Sequence, residues 1–185
     1  MKTHRSRASA TDTRNFYSKL LLPYNSTPEA FIRKVLEEIH PNRGQLIYDL
    51  GCGDGRVLCI AAQEFGLRAK GFEIDERRIL ECRRIVKSLP WKTQRRIRIY
   101  EKDLFTVNLE DADIVFLYVL PDNYKFLIHV LQTCRSECTV VLMKYEPDDE
   151  VKMKMKLKVE RRIQAEGTDW LAYIARKCQK EAKII

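Results

Sequence analysis

Three glycines at alternate positions, Gly51, Gly53 and Gly55, share a short run with two carboxylates, Asp49 and Asp54. The run reads Tyr48-Asp49-Leu50-Gly51-Cys52-Gly53-Asp54-Gly55-Arg56. Glycine reaches backbone dihedrals closed to other residues and lets a ligand approach the main chain. The run lies between a predicted strand and a predicted helix, the context a nucleotide-binding loop requires, and that helix offers free N–H groups at its start. Its spacing is GxGxG, not the GxGxxG of dinucleotide enzymes, and the chain has no GK[ST] of a phosphate loop. Carboxylates at 49 and 54 would repel phosphate groups; they suit a cation.

Two further acids fall at comparable places. Glu73 lies 24 residues after Asp49, at the end of the second predicted strand, where a carboxylate can accept both hydroxyls of a ribose. Asp103 follows the third strand and can take an adenine amino hydrogen, with Leu104 or Phe105 packed on the ring; it can equally cap a helix. A ribose, an adenine and a cationic centre together describe S-adenosylmethionine, whose sulfonium and ammonium match the acids of the glycine run.

These residues need a scaffold of alternating strands and helices. Ser26-Thr27-Pro28-Glu29 opens a helix, either through a Ser26–Glu29 capping box or with Thr27 as cap and Pro28 first in the helix. Phe31, Ile32, Val35, Leu36 and Ile39 then recur at helical spacing. The predicted strands are 45–50, 69–74, 96–101, 113–120 and 139–145. The predicted helices are 56–65, stopped by Gly66, then 75–89, capped by Asp75 and stopped by Pro90, and 122–134. From Val151 to Val159 apolar residues alternate with lysines, a period of two that predicts a strand with one basic face. Glu166-Gly167-Thr168-Asp169 is turn chemistry and 170–175 a returning strand, so the chain ends in an antiparallel hairpin. The crossover between 145 and this hairpin looks too short for a full helix. The whole predicts one α/β, Rossmann-like domain over 23–178, a mostly parallel sheet with helices on both faces. Ligands bind such sheets beyond the carboxyl ends of the strands, where strand order reverses.

Composition limits the alternatives. The chain of 185 residues is 45% hydrophobic, enough for one core, and its 34 basic and 26 acidic side chains leave a net charge of +8. That excess favours acidic or polyanionic partners, nucleic acid among them, or serves solubility alone. The six cysteines have no CxxC spacing, so they predict reduced thiols packed as small hydrophobes and no metal site. No apolar run approaches the roughly 18 residues of a membrane span. Residues 1–22 carry Lys2, Arg5, Arg7, Arg14 and Lys19 against Asp12; they read as a flexible basic segment, and a mitochondrial targeting peptide has a similar composition. Residues 179–185 read as a tail. The expected location is the cytoplasm, with the mitochondrion as the alternative from that basic start.

The run from Asp49 to Arg56, with Glu73 at the end of the second strand, resembles the class I, seven-β-strand S-adenosylmethionine-dependent methyltransferases over about residues 24–176. The resemblance implies that Asp49, Gly51, Cys52 and Gly53 bind the cofactor with Glu73, Ile74 and Tyr118, while Asp103 and Leu104 meet the adenine. A closer resemblance is to the small protein-lysine methyltransferases. It is carried by Pro23-Tyr24, Thr27-Pro28-Glu29, Gly71-Phe72-Glu73-Ile74-Asp75, Asp103-Leu104-Phe105 and Leu117-Tyr118-Val119-Leu120-Pro121. It implies that Tyr24 and Thr27 lie over the cofactor. Lys144-Tyr145-Glu146-Pro147 departs from the acidic, aromatic stretch usual there.

The expected activity is therefore methyl transfer to a protein lysine. The ends of the fourth and fifth strands (Tyr118, Pro121, Asp122, Tyr145 and Glu146) face the cofactor side, but no catalytic residue stands out. Val119-Leu120-Pro121-Asp122 replaces the Asn-Pro-Pro-Tyr signature of adenine-N6 methylation. Two alternatives stand beside it. One is a nucleic-acid methyltransferase, favoured by basic residues in 77–87, Lys92, Arg95, Arg96, Arg98 and Lys152 to Lys158, though with no interleaved aromatics to stack bases. The other is a non-catalytic protein that binds the cofactor and activates a partner enzyme.

Overall fold

The computed structural model describes residues 26–178; Tyr24, the basic segment 1–22 and the tail 179–185 lie outside the described residues. Seven strands form one sheet in the order β3-β2-β1-β4-β5-β7-β6. They are β1 (Leu46–Leu50), β2 (Arg68–Glu73), β3 (Ile97–Glu101), β4 (Ile114–Leu117), β5 (Thr139–Met143), β6 (Leu157–Gln164) and β7 (Leu171–Lys177). The first five are parallel; β7 runs antiparallel between β5 and β6. The predicted hairpin is present, with its second strand inserted next to the parallel set.

Alternation along the strands sorts two cores. Ile47, Ile114, Phe116, Val141 and Met143 face helices α1 (Glu29–Ile39), α2 (Arg56–Gln63) and α3 (Glu76–Ser88). A four-residue helix, α4 (Trp91–Gln94), precedes β3. On the other face Leu46, Tyr48, Leu50, Val115, Leu117, Val140 and Leu142 meet α5 (Tyr124–Gln132) and α6 (Asp149–Met155). β1, β4 and β5 are buried along their whole length, as strands covered on both faces must be. Strand order reverses between β1 and β4, so their carboxyl ends open a crevice.

Several expectations need correction. Neither Ser26 nor Thr27 caps α1; Pro28 takes the cap position without a side-chain bond, and the Thr27 carbonyl instead accepts from Arg56 at 3.2 Å. The fourth strand ends at Leu117, because the chain leaves the sheet before a 3-10 turn at Pro121–Asn123. The largest difference is at 151–155, predicted as the start of a strand and found within α6. Asp148 caps it by accepting from Val151 N at 2.8 Å, Asp149 and Glu150 meet the positive end of the helix dipole, and Asp149–Lys152 and Glu150–Lys154 pair along it. These local terms override the alternation, which survives only from Leu157 onward. Cys178 is exposed, unlike the other five cysteines, which are buried free thiols. Among the described residues no helix is long and apolar enough to cross a membrane.

Candidate active site

The glycine run turns the chain from β1 into α2 through three left-handed residues: Gly51, Gly53 and Gly55 have φ of 86°, 52° and 81°. Gly51 N and Cys52 N both donate to the Phe72 carbonyl at 2.9 and 3.0 Å, which ties the turn to the end of β2. A Cβ on Gly55 would lie 2.3 Å from Cys82 Sγ, so the turn admits nothing larger there. A Cβ on Gly51 would meet only Leu104, at 3.9 Å, because this glycine faces the crevice. The Cys52 thiol packs inward: its Sγ would stand 2.7 Å from a Cβ at Gly71.

The crevice is walled by Thr27, Asp49, Gly51, Gly53, Glu73, Ile74, Asp103, Leu104 and Tyr118, with Cys52 in the turn, so the described residues singled out in the sequence converge on one cavity. Asp49 is the unusual member. It is 6% exposed, and no donor among the described residues reaches its carboxylate. Burial first, then the charges of Glu73 and Asp54, push its pKa from 3.8 up to about 8. A buried carboxylate without a donor is costly unless a cation arrives to pair with it.

Glu73, 5% exposed, is already engaged. Its Oε1 accepts from Ile74 N and Asp75 N at 2.8 and 3.0 Å, and its Oε2 accepts from Gly53 N at 3.0 Å. The expectation that Glu73 accepts both hydroxyls of a ribose is thereby narrowed: Oε2 retains room for a donor, while Oε1 organises the loop. Asp103 both caps and lines. Its Oδ1 accepts from Phe105 N at 2.9 Å, starting the 3-10 turn Leu104–Thr106, and its other oxygen takes no hydrogen bond among the described residues. Asp75 caps α3 by accepting from Arg78 N, as expected.

Sequence reasoning missed Arg56. Its Nε donates to both Asp54 oxygens at 3.0 Å and its Nη1 to the Thr27 carbonyl, fastening the segment before α1 against the loop. Only its place in the glycine run hinted at this. Arg78, Lys102 and Phe116 also line the cavity and were not singled out. Of the strand-end candidates, Tyr118 lines the cavity and packs against Tyr145, with ring centroids 6.3 Å apart. Glu146 is held by Lys152, and Asp122 sits in the 3-10 turn away from the cavity wall. Tyr48 points to the opposite face, where Lys70 donates to its hydroxyl. The basic surface also differs from expectation: Trp91 is 61% exposed among those charges, with Arg95 over its ring at 5.5 Å.

The residues fit S-adenosylmethionine: a buried carboxylate unpaired among the described residues for a cation, a second carboxylate with acceptor capacity left on Oε2, and Asp103 beside the apolar Leu104 and Ile74. Comparisons with known proteins agree. The profile of the ANTKMT methyltransferase domain matches residues 49–153. A protein-lysine N-methyltransferase of Saccharolobus islandicus is 34% identical over 107 residues, 57% of this chain and 65% of the relative. A lysine N-methyltransferase of Xenopus laevis, named for a subunit of ATP synthase, is 29% identical over 62% of this chain and 49% of its own length. An adenine nucleotide translocase lysine N-methyltransferase of Mus musculus is 28% identical over 62% of this chain and 48% of its own. The matched stretch thus spans from about half to just under two thirds of these relatives. In structure, the fold resembles an RNA methyltransferase from Salinibacter ruber complexed with S-adenosyl-L-homocysteine, with a TM-score of 0.74, 24% identity and coverage of 86% of this chain and 97% of that one.

Proposed function

We infer, from the premise that the chain belongs to the ANTKMT methyltransferase domain family, that this protein methylates lysine side chains of proteins with S-adenosylmethionine as donor. One observation carries the donor assignment: Asp49, buried on the cavity wall without a hydrogen-bond donor among the described residues, next to a glycine turn that Glu73 holds open. The lysine acceptor is supported by the three relatives, each named a lysine N-methyltransferase.

Bound there, the cofactor supplies an activated methyl group on a sulfonium. The chain's own part is mostly alignment and exclusion of water, which can supply several kcal/mol in an in-line displacement. Asp49 and the free capacity of Glu73 orient the donor. Arg56 holds the Thr27 segment against the glycine turn. Tyr118 forms the wall from which an acceptor amine would approach.

A second reading, methyl transfer to nucleic acid, is favoured by a specific feature. Residues 76–98 carry nine basic and two acidic side chains, and Trp91 stands exposed among them. Tritiated S-adenosylmethionine supplied with a proteome extract separates the readings. Label on protein that resists ribonuclease, and that hydrolyses to methyl-lysine, is the expected result. Label on RNA would support the second reading. Donor binding without transfer to either would point to a non-catalytic role.

A further inference from the structure

Methyl transfer to a lysine needs a seat for a long alkyl chain that ends in a cation, beside the donor cavity; the inference of such a seat rests on that reading. Aromatic side chains gather beside the cavity where β5, β7 and the end of β4 meet. Tyr118 is shared with the cavity wall. Its ring lies 6.3 Å from that of Tyr145 and 5.9 Å from that of Trp170, at 73° to the latter. Trp170 is backed in turn by Phe31 of α1, at 6.2 Å. Tyr118 thus joins Tyr145 and Trp170 in an aromatic corner next to the cavity, with Phe31 behind it.

The corner already holds a lysine. Lys144 Nζ lies 5.3 Å from the centre of the Trp170 ring and pairs with Asp169 at 2.8 Å, and only 19% of its side chain is exposed. The backbone does not explain a lysine here. Residue 144 has φ of 65°, the left-handed region that favours Gly or Asn, and it is fixed there by Lys144 N donating to Leu171 O at 2.7 Å. Tyr124 holds the next residue by donating its hydroxyl to the Tyr145 carbonyl at 2.8 Å.

We propose that the corner formed by Tyr118, Tyr145 and Trp170 is the seat of the acceptor lysine, and that Lys144 rests there as an internal occupant which the incoming side chain displaces. Aromatic faces suit both parts of a lysine: the methylene stem packs on them, and the ammonium is drawn to the ring quadrupole. Asp169 at the rim neutralises one ammonium. Glu146, the other nearby acid, is taken up by Lys152 at 2.5 Å. Two cations in the corner would share one carboxylate, so Lys144 and an acceptor exclude each other. Release of Lys144 is cheap, because Asp169 is 76% exposed in its side chain and exposed ion pairs hold weakly.

The chain has two tryptophans, Trp91 and Trp170, so Trp91→Phe leaves Trp170 as the sole reporter. Nα-acetyl-lysine methylamide, titrated into that protein without methyl donor, is expected to change Trp170 emission saturably. The uncharged Nα-acetyl-norleucine methylamide is expected to leave it unchanged. Lys144→Asn, compatible with the left-handed backbone, is expected to lower half-saturation by about fivefold or more, since the occupant no longer competes. Lys144→Gly serves as the second variant and is expected to do the same. No Trp170 response in any variant, an equal response to norleucine, or weaker binding by both Lys144 variants would overturn the seat. Methyl transfer without a Trp170 response would overturn the seat and leave the methyltransferase reading intact. A Trp170 response without transfer would support the seat and contradict that reading.

Discussion

Asp49 is the residue on which burial acts most visibly at the cavity. Its pKa, raised to about 8 from 3.8, means that the folded chain keeps a proton that the unfolded chain releases. The sign follows: this contribution to stability is complete below the unfolded value and is lost as pH rises through the folded one. Ligand-free protein is therefore expected to melt at progressively lower temperature between about pH 4 and pH 8, and Asp49→Asn to remove that part of the slope. A cationic ligand reverses the trend, because only the ionised carboxylate pairs with it. Glu73 plays the complementary part. Its three backbone hydrogen bonds make Glu73→Ala a structural lesion as well as a binding one. Loss of about 1–3 kcal/mol of stability is expected in denaturant melts, together with weaker donor binding in calorimetry. Asp49 and Glu73 were legible in the sequence from residue type and spacing. Their division of labour was not, since nothing in a sequence says which backbone N–H groups a carboxylate will meet.

Among the elements, the β1–α2 turn tolerates the least. Gly55→Ala would place a methyl 2.3 Å from Cys82 Sγ at a φ of 81°. A loss of at least about 1–2 kcal/mol is expected from the backbone alone. Cys82→Ala in the same chain should restore only the part due to the clash, so a double-mutant cycle by chemical denaturation separates the two. The parallel strands and helices α1 to α3 were readable from their apolar period, and α3 also from its Asp75 cap, whereas the caps expected at Ser26 or Thr27 are not used. Helix α6 was misread for a physical reason. Its residues alternate like a strand, but Val151 and Met155 lie one helical turn apart, and Asp148, Asp149 and Glu150 supply a helix start. Asp148→Ala is expected to cost about 1 kcal/mol in thermal melts, as loss of a cap does. Arg56 was missed because its partner is a backbone carbonyl 29 residues away, visible only once the fold brings Thr27 to the loop.

At the scale of the whole molecule, the basic charge is concentrated on one stretch that reaches the cavity wall at Arg78. Residues 76–98, which make α3, α4 and the start of β3, hold nine basic and two acidic side chains of a chain whose net charge is +8. A charge excess of this kind acts on association with polyanions and not on the fold. Replacing Arg83, Arg84 and Lys87 by Glu is expected to lower the salt needed to elute the protein from heparin, with its melting temperature little changed, because all three side chains are exposed. The cavity lies at the carboxyl ends of β1, β2 and β4, and the claim that it receives a cationic methyl donor rests on Asp49. Calorimetric titration with S-adenosylmethionine, wild type against Asp49→Asn, tests that claim most directly. Wild-type affinity is expected to rise from pH 6 towards about pH 8, as the carboxylate ionises. Asp49→Asn is expected to bind at least about tenfold more weakly, without that rise. Equal affinity of the two proteins across this range would contradict the assignment.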